Sequence, residues 1–178
     1  MSTSFESIEA FEAAIRVVPS AEAEGLRARF IERRLDSQDA EQASHALRLR
    51  RFSDGLAYTG YLWDFLMDKH VVSEETLWQN LQCASDVYAM WDLHSTERIR
   101  IPDYFKFPRA TVIQTTPATL RRGLAYLPED LYIFDESCSW SAALTHEWPD
   151  DRRFCLWSGT PSDFEASGGR SRSSRADR

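Results

Sequence analysis

Residues 131–157, LYIFDESCSWSAALTHEWPDDRRFCLW, constrain the fold more than any other part of the chain. They read as three consecutive strands joined by two turns, Asp135-Glu136-Ser137-Cys138-Ser139 and Pro149-Asp150-Asp151-Arg152. Two tight turns in succession dictate antiparallel neighbours. Period-two alternation puts Trp140, Ala142, Leu144, His146 and Trp148 on one face of the middle strand. The same period begins earlier, at Asp86, with Val87, Ala89, Trp91 and Leu93 on one face. Ile99 and Ile101 then alternate with Arg98 and Arg100, and Thr111–Thr115 forms a further strand before Pro117 opens a short helix.

The first half of the chain has a helical period instead. Thr3-Ser4-Phe5-Glu6 fits a capping box, followed by a stripe of Ile8, Phe11, Ile15 and Val18. Pro19-Ser20 ends this helix and caps a second, with Ala23, Leu26 and Phe30 inward and Ile31 and Leu35 widening the face. Residues 39–51 predict a third helix with a small apolar side. The stretch 53–60 reads as a loop, and Leu62, Phe65 and Leu66 suggest a short helix capped by Thr59. Ser73 precedes a helix in which Leu77 and Leu81 recur. The expected class is α+β: N-terminal helices followed by a mostly antiparallel sheet of about five or six strands. Residues 1–160 form one domain, with a helical part over 1–52 and a helix-plus-sheet core over 53–160. The Arg/Ser-rich tail, 161–178, is expected to be disordered.

The formal net charge is -7. Residues 164–178 carry four arginines against Glu165 and Asp177, so the body over 1–163 carries -9. Such a body repels phosphate backbones, which argues against nucleic acid, and favours a basic partner. The plainer explanation is solubility. Three cysteines, Cys83, Cys138 and Cys155, show no paired spacing. The N-terminus lacks the pattern of a secretory signal, and no apolar run approaches the roughly 18 residues of a membrane span. A cytoplasmic setting is therefore expected. Only Lys69 and Lys106 are lysines among 21 basic residues, a bias that points to a high-GC bacterial genome.

Strong enzymatic signatures are missing from the sequence: it holds no phosphate-binding glycine loop, no nucleophile elbow, and no local Cys/His spacing for zinc. No cofactor and no metal are expected. Asp92, His94 and Glu97 could ligate an ion, but ordinary turn chemistry accounts for Asp, Ser and Thr there. His146, on an apolar face beside tryptophans, is the candidate for acid–base chemistry, with Asp135 or Glu136 as its carboxylate. Glu147 points to the opposite face of a regular strand, so it cannot assist without a bulge. The plainer reading of His146 is a half-buried ring satisfied by a carbonyl. Six tryptophans should mostly be core, yet Trp148 and Trp157 stand where they could anchor a partner. Asp135, Glu136, Asp150 and Asp151 at the hairpin tips could pair with its cations.

Gly60-Tyr61-Leu62-Trp63-Asp64, Asp86-Val87-Tyr88, Asp130-Leu131-Tyr132-Ile133-Phe134-Asp135, Trp140, Thr145-His146-Glu147 and Cys155 together carry a likeness. The region 58–157 resembles a bacterial domain family of unknown function marked by G-Y-L-W, D-x-Y-I-x-D and T-H-E segments. The resemblance implies a small cytoplasmic α+β protein and supplies no activity. The expected function is a non-enzymatic binding protein, in its sharper form an immunity or antitoxin type that masks a basic partner. A small hydrolase-like enzyme built on His146 is the alternative.

Overall fold

The computed structural model describes residues 4–36, 61–92, 110–147 and 152–159, together with the backbone of 50–52 and 55–57. At the N-terminus, Ser7 caps α1 (Ile8–Glu12) by accepting from the Ala10 amide, so the helix begins later than the predicted box at Thr3. It is also shorter than the stripe suggests. The chain leaves it before Ile15, and Arg16–Val17 form β1, which pairs with Gln114 and Ile113. After Pro19 the chain enters α2 (Ser20–Arg34), which buries Ala23, Leu26 and Phe30 as its spacing requires.

The predicted helix over 39–51 lies outside the described residues up to 49. Its last two residues instead join β2 (Arg50–Phe52), paired with β3 (Gly55–Ala57) where the sequence predicts a loop. A 3-10 turn over Leu62–Phe65 leads to β4 (Lys69–Val72). Ser73 then caps α3 (Glu74–Leu81) through the Thr76 amide. The chain continues through β5 (Val87–Trp91) and β6 (Ile113–Thr115) to α4 (Pro117–Gly123), whose N-cap Thr116 accepts from Thr119. Last come β7 (Leu131–Phe134), β8 (Ser141–Leu144) and β9 (Cys155–Ser158).

Seven strands make one wholly antiparallel sheet in the order β1-β6-β5-β7-β8-β9-β4. The class is α+β, as expected, with more strands than predicted. Both faces of the sheet are covered. Val87, Ala89, Trp91, Leu131, Ile133, Ala142 and Leu144 meet Phe11 and α3 on one side. Tyr88, Met90, Tyr132, Phe134, Ala143 and Leu156 meet α2 and the 3-10 turn on the other. Double burial explains why β5 is apolar at every position and not only at the alternate ones. Among the described residues, no helix is long and apolar enough to cross a membrane.

The α1 helix seats on α4 through one close approach. A Cβ at Gly123 would lie 2.1 Å from the Phe11 ring. Gly123→Ala is therefore expected to cost about 1–3 kcal/mol by overpacking, measured as a lower midpoint in urea. A variant as stable as the parent would show that α1 yields without cost.

Candidate functional site

The site forms where β7 begins and β8 ends. Phe134 pairs with Ser141 and Leu131 with Leu144, so Asp130 and Thr145 stand at the same end of the hairpin. Beyond Thr145 the ladder is interrupted. The Thr145 amide donates to the Phe154 carbonyl at 3.1 Å, and the Phe154 amide donates to the Glu147 carbonyl at 2.8 Å, so residues 145–147 together oppose Phe154. The Thr145 hydroxyl holds this bulge from inside, donating to the Phe154 carbonyl at 2.9 Å and accepting from the Glu147 amide at 3.3 Å. A bulge re-aims the side chain it contains. Here it turns His146 off the face of Trp140, Ala142 and Leu144 and onto Tyr61 and Trp63.

Asp130 fixes the ring. Its carboxylate accepts from the His146 amide at 2.8 Å and lies 3.0 and 3.2 Å from Nδ1. Only acceptors face Nδ1, so Nδ1 carries the hydrogen and Nε2 is the outer nitrogen. The His146 side chain is 36% exposed. Burial raises the Asp130 carboxyl above the usual carboxylate range, against the opposing bonds from His146. The 3-10 turn supplies the neighbouring wall. Tyr61 stacks on Trp63 with centroids 4.1 Å apart and planes at 5°, and the two rings lie 5.1 and 5.4 Å from His146. Asp64 accepts from the Tyr61 amide, and Lys69 donates to the carbonyls of Trp63 and Asp64. Asp64, Glu129 and Glu147 are exposed at the positions flanking this cluster.

The other candidates fall elsewhere. Asp135 and Glu136 sit at the opposite end of β7, five residues or about 16 Å of strand from Asp130, so neither is the carboxylate of His146. Asp135 is a turn residue: it accepts from the Ser137 and Ser139 hydroxyls and from the Ser139 and Trp140 amides. The tip is also held by cations of its own chain. Arg29, Arg33 and Arg34 donate to the carbonyls of Glu136, Ser137 and Ser139. Trp157 is not an exposed anchor; it is 5% exposed, stacked on Trp140 at 5.3 Å, and donates to the Gly159 carbonyl. Trp148, Asp150, Asp151, His94 and Glu97 lie outside the described residues. Asp92, read from sequence as a turn residue or metal ligand, is fully buried under the 3-10 turn. Among the described residues, no three His, Cys, Asp or Glu side chains are arranged to hold a metal ion. A cleft of about 290 Å³ opens between α3 and α4, lined by Trp78, Gln82, Thr116 and Arg121, and His146 takes no part in it.

No family model matches this chain, and neither curated proteins nor solved structures yield a match. The site is thus defined by its own chemistry. It brings together Tyr61–Asp64, Asp130–Tyr132 and Thr145–Glu147. The sequence pattern assigns no site role to Asp130 or Tyr132 and suggests for Asp92 only a turn or a metal ligand. The register itself points to Asp130: a hairpin closing Phe134 on Ser141 places residue 130 beside 145.

Proposed function

We propose that this chain is a binding protein for a basic partner, in its sharper form of immunity or antitoxin type. It would take a cationic side chain of that partner at Tyr61 and His146, away from the β7–β8 tip. One observation carries the reading. A half-buried tyrosine ring, stacked on a tryptophan, lies beside a carboxylate-held histidine, and the exposed residues Asp64, Glu129 and Glu147 flank these positions in the chain. An aromatic ring attracts guanidinium or ammonium groups through its quadrupole, and exposed carboxylates attract them through charge. The acidic body strengthens this by steering. The tip serves less well, because Arg29, Arg33 and Arg34 already occupy its carbonyls.

Affinity capture from host lysate, eluted on a salt gradient, tests the proposal when run with variants in parallel. A stoichiometric basic protein should be released at moderate salt. Tyr61→Ala should weaken its capture at least about tenfold, the scale of a lost anchor contact. Glu147→Gln should weaken it less and flatten the salt dependence. Retention by Tyr61→Ala together with loss on Glu136→Gln would return recognition to the tip.

The geometry of His146 supports a second reading. An imidazole with Nδ1 on a carboxylate and Nε2 outward has the orientation of a general base, here one acting on water in a hydrolysis. Turnover by the parent protein that is abolished in both His146→Gln and Asp130→Asn would favour this reading over stoichiometric capture.

A further inference from the structure

Beneath Tyr61 and Trp63 runs a buried polar chain that neither reading above uses. Asp92 Oδ2 accepts from the Tyr132 hydroxyl at 2.7 Å, and Oδ1 accepts from the Leu62 amide at 3.3 Å. The Tyr132 oxygen in turn accepts from the Trp63 amide at 3.1 Å. Asp92 and Tyr132 are both fully buried. The backbone of the turn bearing both aromatic rings is therefore held by one carboxyl and one phenol. Among the described residues, other charges act on Asp92 from the start of β7 and from α2. Asp130, with His146 upon it, acts from the start of β7. From α2 comes Arg27, 7% exposed, whose Nη2 donates to the Trp91 carbonyl at 3.0 Å while Nη1 has no partner among the described residues. Arg27 acts on Asp92 through space and not through a hydrogen bond.

We propose that Asp92 and Tyr132 form a proton-operated latch that sets the position of the Tyr61–Trp63 platform. With Asp92 ionised, every group is satisfied: the carboxylate accepts twice, and the phenol gives its hydrogen to Asp92 and offers a lone pair to Trp63. A proton added at Oδ2 needs an acceptor, and the phenol oxygen is the one at hand. The bond between Asp92 and Tyr132 then reverses. The phenol hydrogen loses its acceptor, and the new O–H competes with the Trp63 amide for the phenol oxygen. The turn is released on the side that carries the rings. Burial pushes the Asp92 carboxyl up to about 7, with Asp130 adding to the rise and Tyr132, the Leu62 amide and Arg27 opposing it, so both forms are populated near neutrality. Only the biological consequence of the latch rests on the recognition reading; its physics does not.

The test needs no partner, so its failure and the failure of that reading are distinguishable. Amide resonances of Leu62 and Trp63 and the imidazole resonance of His146 are followed in the full chain from pH 5 to 9. Both amides should titrate with a midpoint near that of Asp92. That transition should vanish in Asp92→Asn and persist in His146→Gln. In Tyr132→Phe, which removes a donor to the carboxylate, it should move up by about one pH unit. Flat amide shifts in the parent, a transition unchanged in Asp92→Asn, or one lost in His146→Gln would overturn the latch. Should Asp92→Asn fail to fold, an unmoved midpoint in Tyr132→Phe overturns it equally.

Discussion

Raising the pH from 5 to 8 is expected to destabilise this fold by about 3 kcal/mol through Asp92. The direction follows from where the proton sits. The carboxyl stands at about 7 in the folded chain against an ordinary 3.8, so the folded state holds a proton that the unfolded state has already lost. Stability from this group is complete below about 4, falls as pH rises through the window up to about 7, and is level above it. Asp130 is raised as well and adds to the same slope. The cause is burial: an ionised carboxylate with two hydrogen bonds and a distant guanidinium recovers less than water provided. Asp92→Asn keeps the shape and removes the charge. It should be more stable than the parent at pH 8 and no more stable at pH 5. Urea unfolding followed by tryptophan fluorescence at each pH checks both statements. Parallel curves for the two proteins would show that Asp92 is not the titrating group.

What the sequence disclosed and withheld divides along physical lines. Features set by local chemistry were legible. Examples are the inward face of α2, the helix start after Ser73, the short helix opened by Pro117, and the turn at Asp135–Ser139, because spacing and short-range hydrogen bonds determine them. Features set by tertiary covering were not. The strands β1 and β4 are short, lie at the two edges of the sheet, and show no alternation: Lys69, His70 and Val71 are all exposed and only Val72 is half-buried. Asp92 looks like any polar residue closing a strand. Its burial depends on a turn thirty positions earlier in the chain. The apolar face of the middle strand draws attention to His146, but the carboxylate beside it is Asp130 and not the expected Asp135 or Glu136. Residues in the turn of a hairpin are the farthest from its open end, and register alone separates Asp135 from His146. The bulge at Thr145–Glu147 was the remaining unknown. Only the far strand, through Phe154, reveals that the alternation stops at Leu144.

Asp135→Ala should lower stability by about 2–3 kcal/mol, the largest effect expected of any exposed-tip substitution. One carboxylate there accepts four hydrogen bonds: from the Ser137 hydroxyl, from the Ser139 amide at 2.7 Å and hydroxyl at 3.1 Å, and from the Trp140 amide at 3.3 Å. These bonds close a turn in which Cys138 takes a positive φ of 54°, a conformation that favours glycine and needs support from its surroundings. They also set the start of β8, where Trp140 stacks on Trp157 in the core. Asp135→Asn retains one carbonyl-type oxygen for the two amides and loses an acceptor for the two hydroxyls, so it should cost about half as much. Glu136→Gln should change stability little, since only the Glu136 carbonyl is held, by Arg29. Guanidinium unfolding orders the three variants, and amide exchange should show Ser139 and Trp140 losing protection first in Asp135→Ala. An alanine variant within about 0.5 kcal/mol of the parent, the range of an ordinary surface change, would mean that Arg29, Arg33 and Arg34 alone hold the tip. Asp135 would then be free to meet a partner after all.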